Sequence, residues 1–131
     1  MTKLESIKTQ YIKAVAHLEE VLKMPKNEII RDSAIKRFEL LFDLSWKLIK
    51  TFLEQEKGVK CVSPKDCFKE AYKQEILEYD EFWLIMTDWR NQAVHTYNEE
   101  FANIFYDKLP QTLKYFCFLR EKINKYIKKK K

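Results

Sequence analysis

The side chains best suited to chemistry in this sequence lie in one stretch, RNQAVHTY, from Arg90 to Tyr97. It contains an arginine, an asparagine, one of only two histidines in the chain and a tyrosine. Residues four apart share one side of a helix, so Asn91 and His95 project together, with Arg90 beside Asn91. Tyr97 projects near Arg90 if the helix continues that far. The spacing therefore predicts a cluster of a cation, an amide, a titratable ring and a phenol.

These residue types suit the cleavage of RNA by attack of the ribose 2′-hydroxyl on the adjacent phosphate. Arginine offers a planar fork of donors to phosphate oxygens, and histidine carries a proton near neutral pH. The reaction requires no metal ion, but it requires both an acid and a base. Each chain has a single histidine in this stretch, so a two-fold dimer that joins two clusters would supply the pair.

A purely structural interpretation of the same residues stays open. A histidine near the end of a helix is favoured by the helix dipole and can serve only as a cap. An arginine followed five residues later by a histidine is also a weak pattern that arises by chance. Glu39 and Asp43 form an acidic pair at i, i+4 that could orient Arg90 or lysines of a partner, although a solvated helix face is the favoured interpretation.

The composition favours helices and argues against several kinds of site. One glycine and three prolines among 131 residues leave little material for hairpin turns or glycine-rich phosphate loops. Two histidines and the lack of a C-x-x-C pair argue against a zinc site. The three cysteines, Cys61, Cys67 and Cys117, are expected to be reduced thiols.

The charge and the ends of the chain indicate where the protein acts. The net charge is +5, and Lys128 to Lys131 supply four of those charges. This lysine-rich tail, 128–131, is expected to be a solvated end, with non-specific attraction to phosphate as the alternative. The N-terminus shows no signal-peptide pattern, and no apolar run approaches the length of a membrane span. We expect a cytoplasmic protein with no membrane association.

Hydrophobic periodicity predicts the helices that position the cluster. Helices are expected over about residues 4–23, 28–56 and 64–73, then from a cap at Asp80 to between Val94 and Tyr97. A last helix begins at Asn98, and Pro110 should kink or break it. The expected helix start at Ser63 and the expected end at Gly58 follow from capping preferences.

The second predicted helix carries two apolar stripes, so it is either central in a bundle or shared with a partner subunit. The short connections favour antiparallel neighbours. The sequence therefore predicts one all-α domain over residues 1–127, an antiparallel bundle resembling four helices with an extra short helix.

RNQAVHTY resembles the R-x4-H-x-Y signature of the HEPN-domain family, including the polar residue directly after the arginine. Three further segments resemble one branch of that family in the same order, namely RFELLFDLSWKLIKTFLE, SPKDCFKEAYKQ and WLIMTDWRN. That branch comprises the nucleotidyltransferase substrate-binding proteins, close to the HepT-type toxins, and the resemblance covers about residues 4–123. It implies an all-α HEPN domain that dimerises with the two motifs facing each other.

The resemblance also implies an activity and partners. HEPN toxins of this type are metal-independent endoribonucleases, and no cofactor is implied. Carried over by position, Arg90 would stabilise the phosphate of an RNA substrate, His95 would handle the proton and Asn91 would support them. A cognate nucleotidyltransferase antitoxin would neutralise the toxin by transferring AMP to Tyr97. The alternative is a non-catalytic subunit that binds substrate for a two-component nucleotidyltransferase.

Overall fold

The computed structural model describes residues 2–78 and 81–129, and every regular element in them is helical. The elements are α1 (Lys3–Leu22), α2 (Glu28–Phe52), a π-helical segment (Leu53–Lys57), α3 (Pro64–Lys73), α4 (Glu81–His95), α5 (Glu99–Tyr106) and α6 (Leu109–Lys129). The predicted all-α class is confirmed. The expected cap Asp80 lies outside the described residues. None of the helices described is both long and apolar enough to cross a bilayer.

Capping side chains set most helix boundaries. Thr2, Asn27, Ser63 and Asn98 precede α1, α2, α3 and α5, and each side chain accepts a hydrogen bond from a backbone N–H of the first turn. Gly58 ends the π-helical segment with a φ of 65°, in the left-handed region that a residue without Cβ adopts freely. The predicted starts at Ser63 and Asn98 and the predicted end at Gly58 are confirmed.

The second helix differs from its prediction in its last turn. The pattern predicted one α-helix over 28–56, whereas the α-helix ends at Phe52 and the chain continues as the π-helical segment to Lys57. Apolar periodicity cannot separate the two forms here because Leu53 is the single apolar residue of the five-residue segment LEQEK.

The predicted break near Pro110 is confirmed. The chain turns at Asp107 and Lys108 before α6 begins at Leu109. Pro110 therefore sits in the first turn of α6, where its missing N–H breaks no intrahelical hydrogen bond. Helix α6 runs to Lys129, so the helical backbone continues into the lysine-rich tail. Lys130 and Lys131 lie outside the described residues.

Helix α2 is the centre of the bundle and contacts α1, α3, α4, α5 and α6. Its two apolar stripes are buried within the chain, so α2 is central in the bundle, the first of the two interpretations. Phe38 packs edge-on against Phe105 with ring centroids 5.0 Å apart, and Phe42 packs in the same way against Phe68 at 5.7 Å. The second stripe therefore gives no support for a dimer, because the other helices of the same chain already cover it.

Cys61 and Cys67 form a disulfide, with their Cα atoms 5.1 Å apart. The expectation of three reduced thiols is therefore wrong for this pair, and Cys117 is the free cysteine. The chain turns back before α3, where Val62 donates its N–H to Asp66, and this turn brings together two cysteines six residues apart. The C-x-x-C spacing does not identify this pair, because the turn of the chain brings the two sulfur atoms together.

We expect reduction to lower the free energy of unfolding by about 2 kcal/mol, because the disulfide restricts a short loop of the unfolded chain. Denaturant titration with and without reductant measures the difference. Cys61→Ser should be insensitive to reductant. Thiol counting on unfolded, unreduced protein should find Cys117 alone, and three reactive thiols there would contradict the disulfide.

Candidate active site

Helix α4 presents Asn91 and His95, two members of the predicted polar cluster, on the side opposite its core contacts. Met86 and Ala93 are buried, and at 100° per residue Asn91 and His95 fall on the far side of the helix. Both side chains are exposed. The sequence prediction that Asn91 and His95 share one face therefore agrees with their exposure.

Arg90 is held at the edge of α4 by a carboxylate of α2. Its Nη2 lies 3.2 Å from Oδ1 of Asp43, and its Nη1 donates to Oδ1 of Asn91 at 3.3 Å. About a third of each charged side chain is exposed, 32% for Arg90 and 35% for Asp43. Asp43 therefore orients the guanidinium, which is one of the interpretations of the Glu39–Asp43 pair but not the favoured one.

The protein does not use all the hydrogen-bond donors of the Arg90 guanidinium. Its Nε is buried and has no hydrogen-bond partner in the described part of the chain. An unpaired buried donor is unfavourable, and each Nη atom carries two N–H donors, of which the protein uses one. The arginine therefore keeps donors for an anionic ligand at the surface.

His95 is the last residue of α4 and is exposed. Within residues 2–78 and 81–129 its ring makes no hydrogen bond and no ion pair. The carboxyl end of a helix is a common place for a capping histidine, but the ring of His95 does not bond to the last carbonyl groups. Both ring nitrogens are therefore available to a substrate.

Tyr97 turns away from the cluster because α4 ends at His95. Its hydroxyl donates to Oδ1 of Asp32, which also accepts from Nε of Arg31 at 3.0 Å. Arg31 is buried, with 6% of its surface exposed, and its Nη1 donates to Asn103 at 3.2 Å. The tyrosine thus ties the connection after α4 to α2 and α5. Tyr97 was expected near Arg90 only if α4 continued to residue 97, and the helix ends before it.

This network holds the Tyr97 phenol neutral. Partial burial and the neighbouring Asp32 carboxylate raise the pKa of Tyr97 from 10.0 to about 12. The hydrogen bond from Tyr97, followed by that from Arg31, lowers the pKa of Asp32. At neutral pH the phenol therefore donates and the carboxylate accepts, which is the arrangement observed.

We expect Asp32→Asn to bring the pKa of Tyr97 back toward 10.0. The difference in ultraviolet absorbance between each protein and its Tyr97→Phe counterpart, followed against pH, isolates this tyrosine. Because the folded pKa is the higher one, Tyr97 stabilises the fold below pH 10.0, and this contribution is lost as pH rises through about 12. An unchanged titration curve in Asp32→Asn would contradict the network.

The structure brings some of the predicted site residues together and separates one. Arg90, Asn91 and His95 lie within the last two turns of α4, whereas Tyr97 bonds to α2. Sequence reasoning missed Arg31 and Asp32. The hydrogen bond from Tyr97 to Asp32 joins residues 65 positions apart, and no local sequence pattern predicts such a pairing.

Comparison with known proteins defines the class to which this fold and site belong. Residues 8–125 match the family described as nucleotidyltransferase substrate binding protein like. The class is that of helical proteins of the HEPN and HepT type, which confirms the resemblance seen in the sequence. The chain belongs to the nucleotidyltransferase substrate-binding protein-like family.

Two relatives illustrate the similarity. The chain is 30% identical over 94 residues to a Haemophilus influenzae protein named probable ribonuclease HepT, a match that covers 69% of this chain. The chain spans 64% of the length of that relative. It also resembles the crystal structure of a Thermus thermophilus protein with a TM-score of 0.77 and 32% identity, over 83% of this chain and 94% of the other.

Proposed function

We propose that this protein is a HEPN toxin, a metal-independent endoribonuclease whose site is built from Arg90, Asn91 and His95. The observation that carries the proposal is the exposed, unbonded His95 one helical turn from Asn91, next to an arginine that Asp43 holds at the surface. The similarity to a relative named as a ribonuclease supports it.

In the proposed reaction the ribose 2′-oxygen attacks the adjacent phosphorus and the 5′-oxygen leaves. One His95 takes the proton of the 2′-hydroxyl, and a second His95 protonates the leaving oxygen. Arg90 stabilises the charge that develops on the phosphoryl oxygens. The products are a 2′,3′-cyclic phosphate end and a 5′-hydroxyl end.

The second histidine comes from a partner in a two-fold dimer. Apolar side chains on the two faces that bear the Arg90–Asp43 pair support such a contact. Leu40 precedes Asp43 by one turn of α2 and is 53% exposed, and Val94 follows Arg90 by one turn of α4 and is 52% exposed. A second copy that covers these side chains would bring the two clusters together.

Neutralisation follows from modification of Tyr97 by a cognate nucleotidyltransferase antitoxin. The phenol oxygen attacks the α-phosphorus of ATP, pyrophosphate leaves and AMP remains on the oxygen. The modified tyrosine can no longer donate to Asp32, and the added phosphate is repelled by that carboxylate. The connection that carries Tyr97 would therefore leave α2 and place a bulky anion at the site.

The description of the matched family favours a second function, a non-catalytic subunit that binds substrate for a two-component nucleotidyltransferase. This function predicts a stable complex with that enzyme and nucleotide binding without RNA cleavage.

Cleavage of single-stranded RNA by purified protein in EDTA separates the two functions. We expect cyclic phosphate ends from the nuclease. Wild-type protein that leaves RNA intact, with Tyr97 unmodified by mass spectrometry, would favour the substrate-binding function instead.

A further inference from the structure

A cavity of about 280 Å³ lies between the end of α4 and α5, beside the proposed site. Trp89 and Gln92 contribute to it from α4 and Thr96 from the connection that follows, while residues of α5 form much of the opposite wall. Gln92 precedes His95 by three residues, so the face that lines the cavity borders the face that carries His95. A ligand in the cavity would therefore lie within about one helical turn of the histidine.

The walls of the cavity are aromatic. Trp89 is half-buried and packs edge-on against Phe105 at 5.9 Å, and Phe101 stacks on Phe105 at 5.5 Å. Lys108 places its ammonium 5.3 Å from the centre of the Trp89 ring. Rings at a partly exposed surface offer a stacking platform for a flat ligand, and the lysine offers a cation to a neighbouring phosphate.

The cavity also has polar lining groups. The amide of Gln92 and the carboxylate of Glu100 line it, both are exposed, and Glu100 has no ion pair within the described residues. An aliphatic ligand would make no use of these groups. A nucleobase would use them, because an amide pairs with donor and acceptor atoms on one edge of a base and a carboxylate accepts from an exocyclic amino group.

We infer that this cavity is a nucleobase subsite that prefers bases with an exocyclic amino group. The base belongs to an RNA nucleotide beside the phosphate at Arg90, so the inference rests on the proposed nuclease function. Glu100 sets the preference, since its carboxylate accepts from the amino group of adenine and would face the O4 oxygen of uracil. Trp89 and Phe101 hold the base by stacking.

Tryptophan fluorescence of the full-length chain tests the inference. The tested protein carries His95→Ala, which slows cleavage, and Trp46→Phe, which removes a second partly exposed indole. Trp83 is only 2% exposed, so Trp89 reports on the cavity. We expect oligoadenylate to quench this signal and to bind about tenfold more tightly than oligouridylate. Glu100→Gln should remove most of that preference. Glu28→Gln is the matched control, since it makes the same charge change on an exposed glutamate in the first turn of another helix, α2, which does not line the cavity.

The outcomes separate this inference from the proposed function. Equal binding of the two oligonucleotides, or a preference that survives Glu100→Gln, overturns the subsite, while cleavage by the wild-type protein would leave the nuclease function standing. Quenching by AMP alone, sensitive to Glu100→Gln in a protein that neither binds nor cuts RNA, supports a nucleobase subsite for the substrate-binding function. No response to AMP or to RNA overturns the subsite.

Discussion

His95→Ala is expected to lower the rate of RNA cleavage by about a hundredfold to ten-thousandfold, the contribution of a positioned acid or base. The ring is exposed and makes no bond within the described residues, so its loss should change the free energy of unfolding by no more than about 0.5 kcal/mol. Cleavage rates at saturating RNA, paired with denaturant titrations, measure both quantities.

His17→Ala is the matched control for this substitution. His17 is the other histidine of the chain and is also exposed, on α1. Its removal should leave cleavage unchanged. An active His95→Ala protein would contradict the assignment, and equal losses in the two variants would show that the effect comes from something other than the site.

Arg90→Ala is expected to lower cleavage by about a hundredfold to a thousandfold, because it removes donors aimed at the charge of the transition state. Arg90→Lys should recover little of the loss, since an ammonium cannot reproduce the planar fork. Asp43→Asn keeps the shape of the residue that holds the guanidinium but removes its charge, so we expect a smaller loss. Cleavage rates measured below and above the KM for RNA separate binding from catalysis.

Arg120→Ala is the matched control for Arg90→Ala. Arg120 pairs with Glu19 at 3.1 Å, and their side-chain exposures of 27% and 34% are close to those of the Arg90–Asp43 pair. Each substitution should cost up to about 1 kcal/mol of stability, but Arg120→Ala should leave cleavage intact. Comparable cleavage in the two variants would remove Arg90 from the site.

The helices and the polar face of α4 could be predicted because local rules set them. Ser63, Asn98 and Gly58 fix boundaries through capping, and a period of 3.6 residues places Asn91 and His95 on one side. These signals depend only on near neighbours in the chain. The same rules placed both stripes of α2 on buried faces but could not say whether its own chain or a partner covers them.

Contacts between distant segments could not be predicted. The Tyr97–Asp32 bond depends on where α4 ends relative to α2, and the Cys61–Cys67 bridge depends on the turn before α3. The Arg90–Asp43 pair was not the favoured alternative, because an acidic pair on a helix usually faces solvent. Each of these requires the packing of two elements, which sequence spacing does not encode.

Activity of mixed dimers tests most directly whether two copies of His95 serve one scissile bond. Wild-type and His95→Ala chains are mixed in equal amounts, allowed to exchange subunits and assayed for RNA cleavage. If both histidines act together, only dimers with two wild-type chains cut, and about one quarter of the wild-type activity remains. Retention of about one half would mean that each subunit cuts alone and would contradict the shared site.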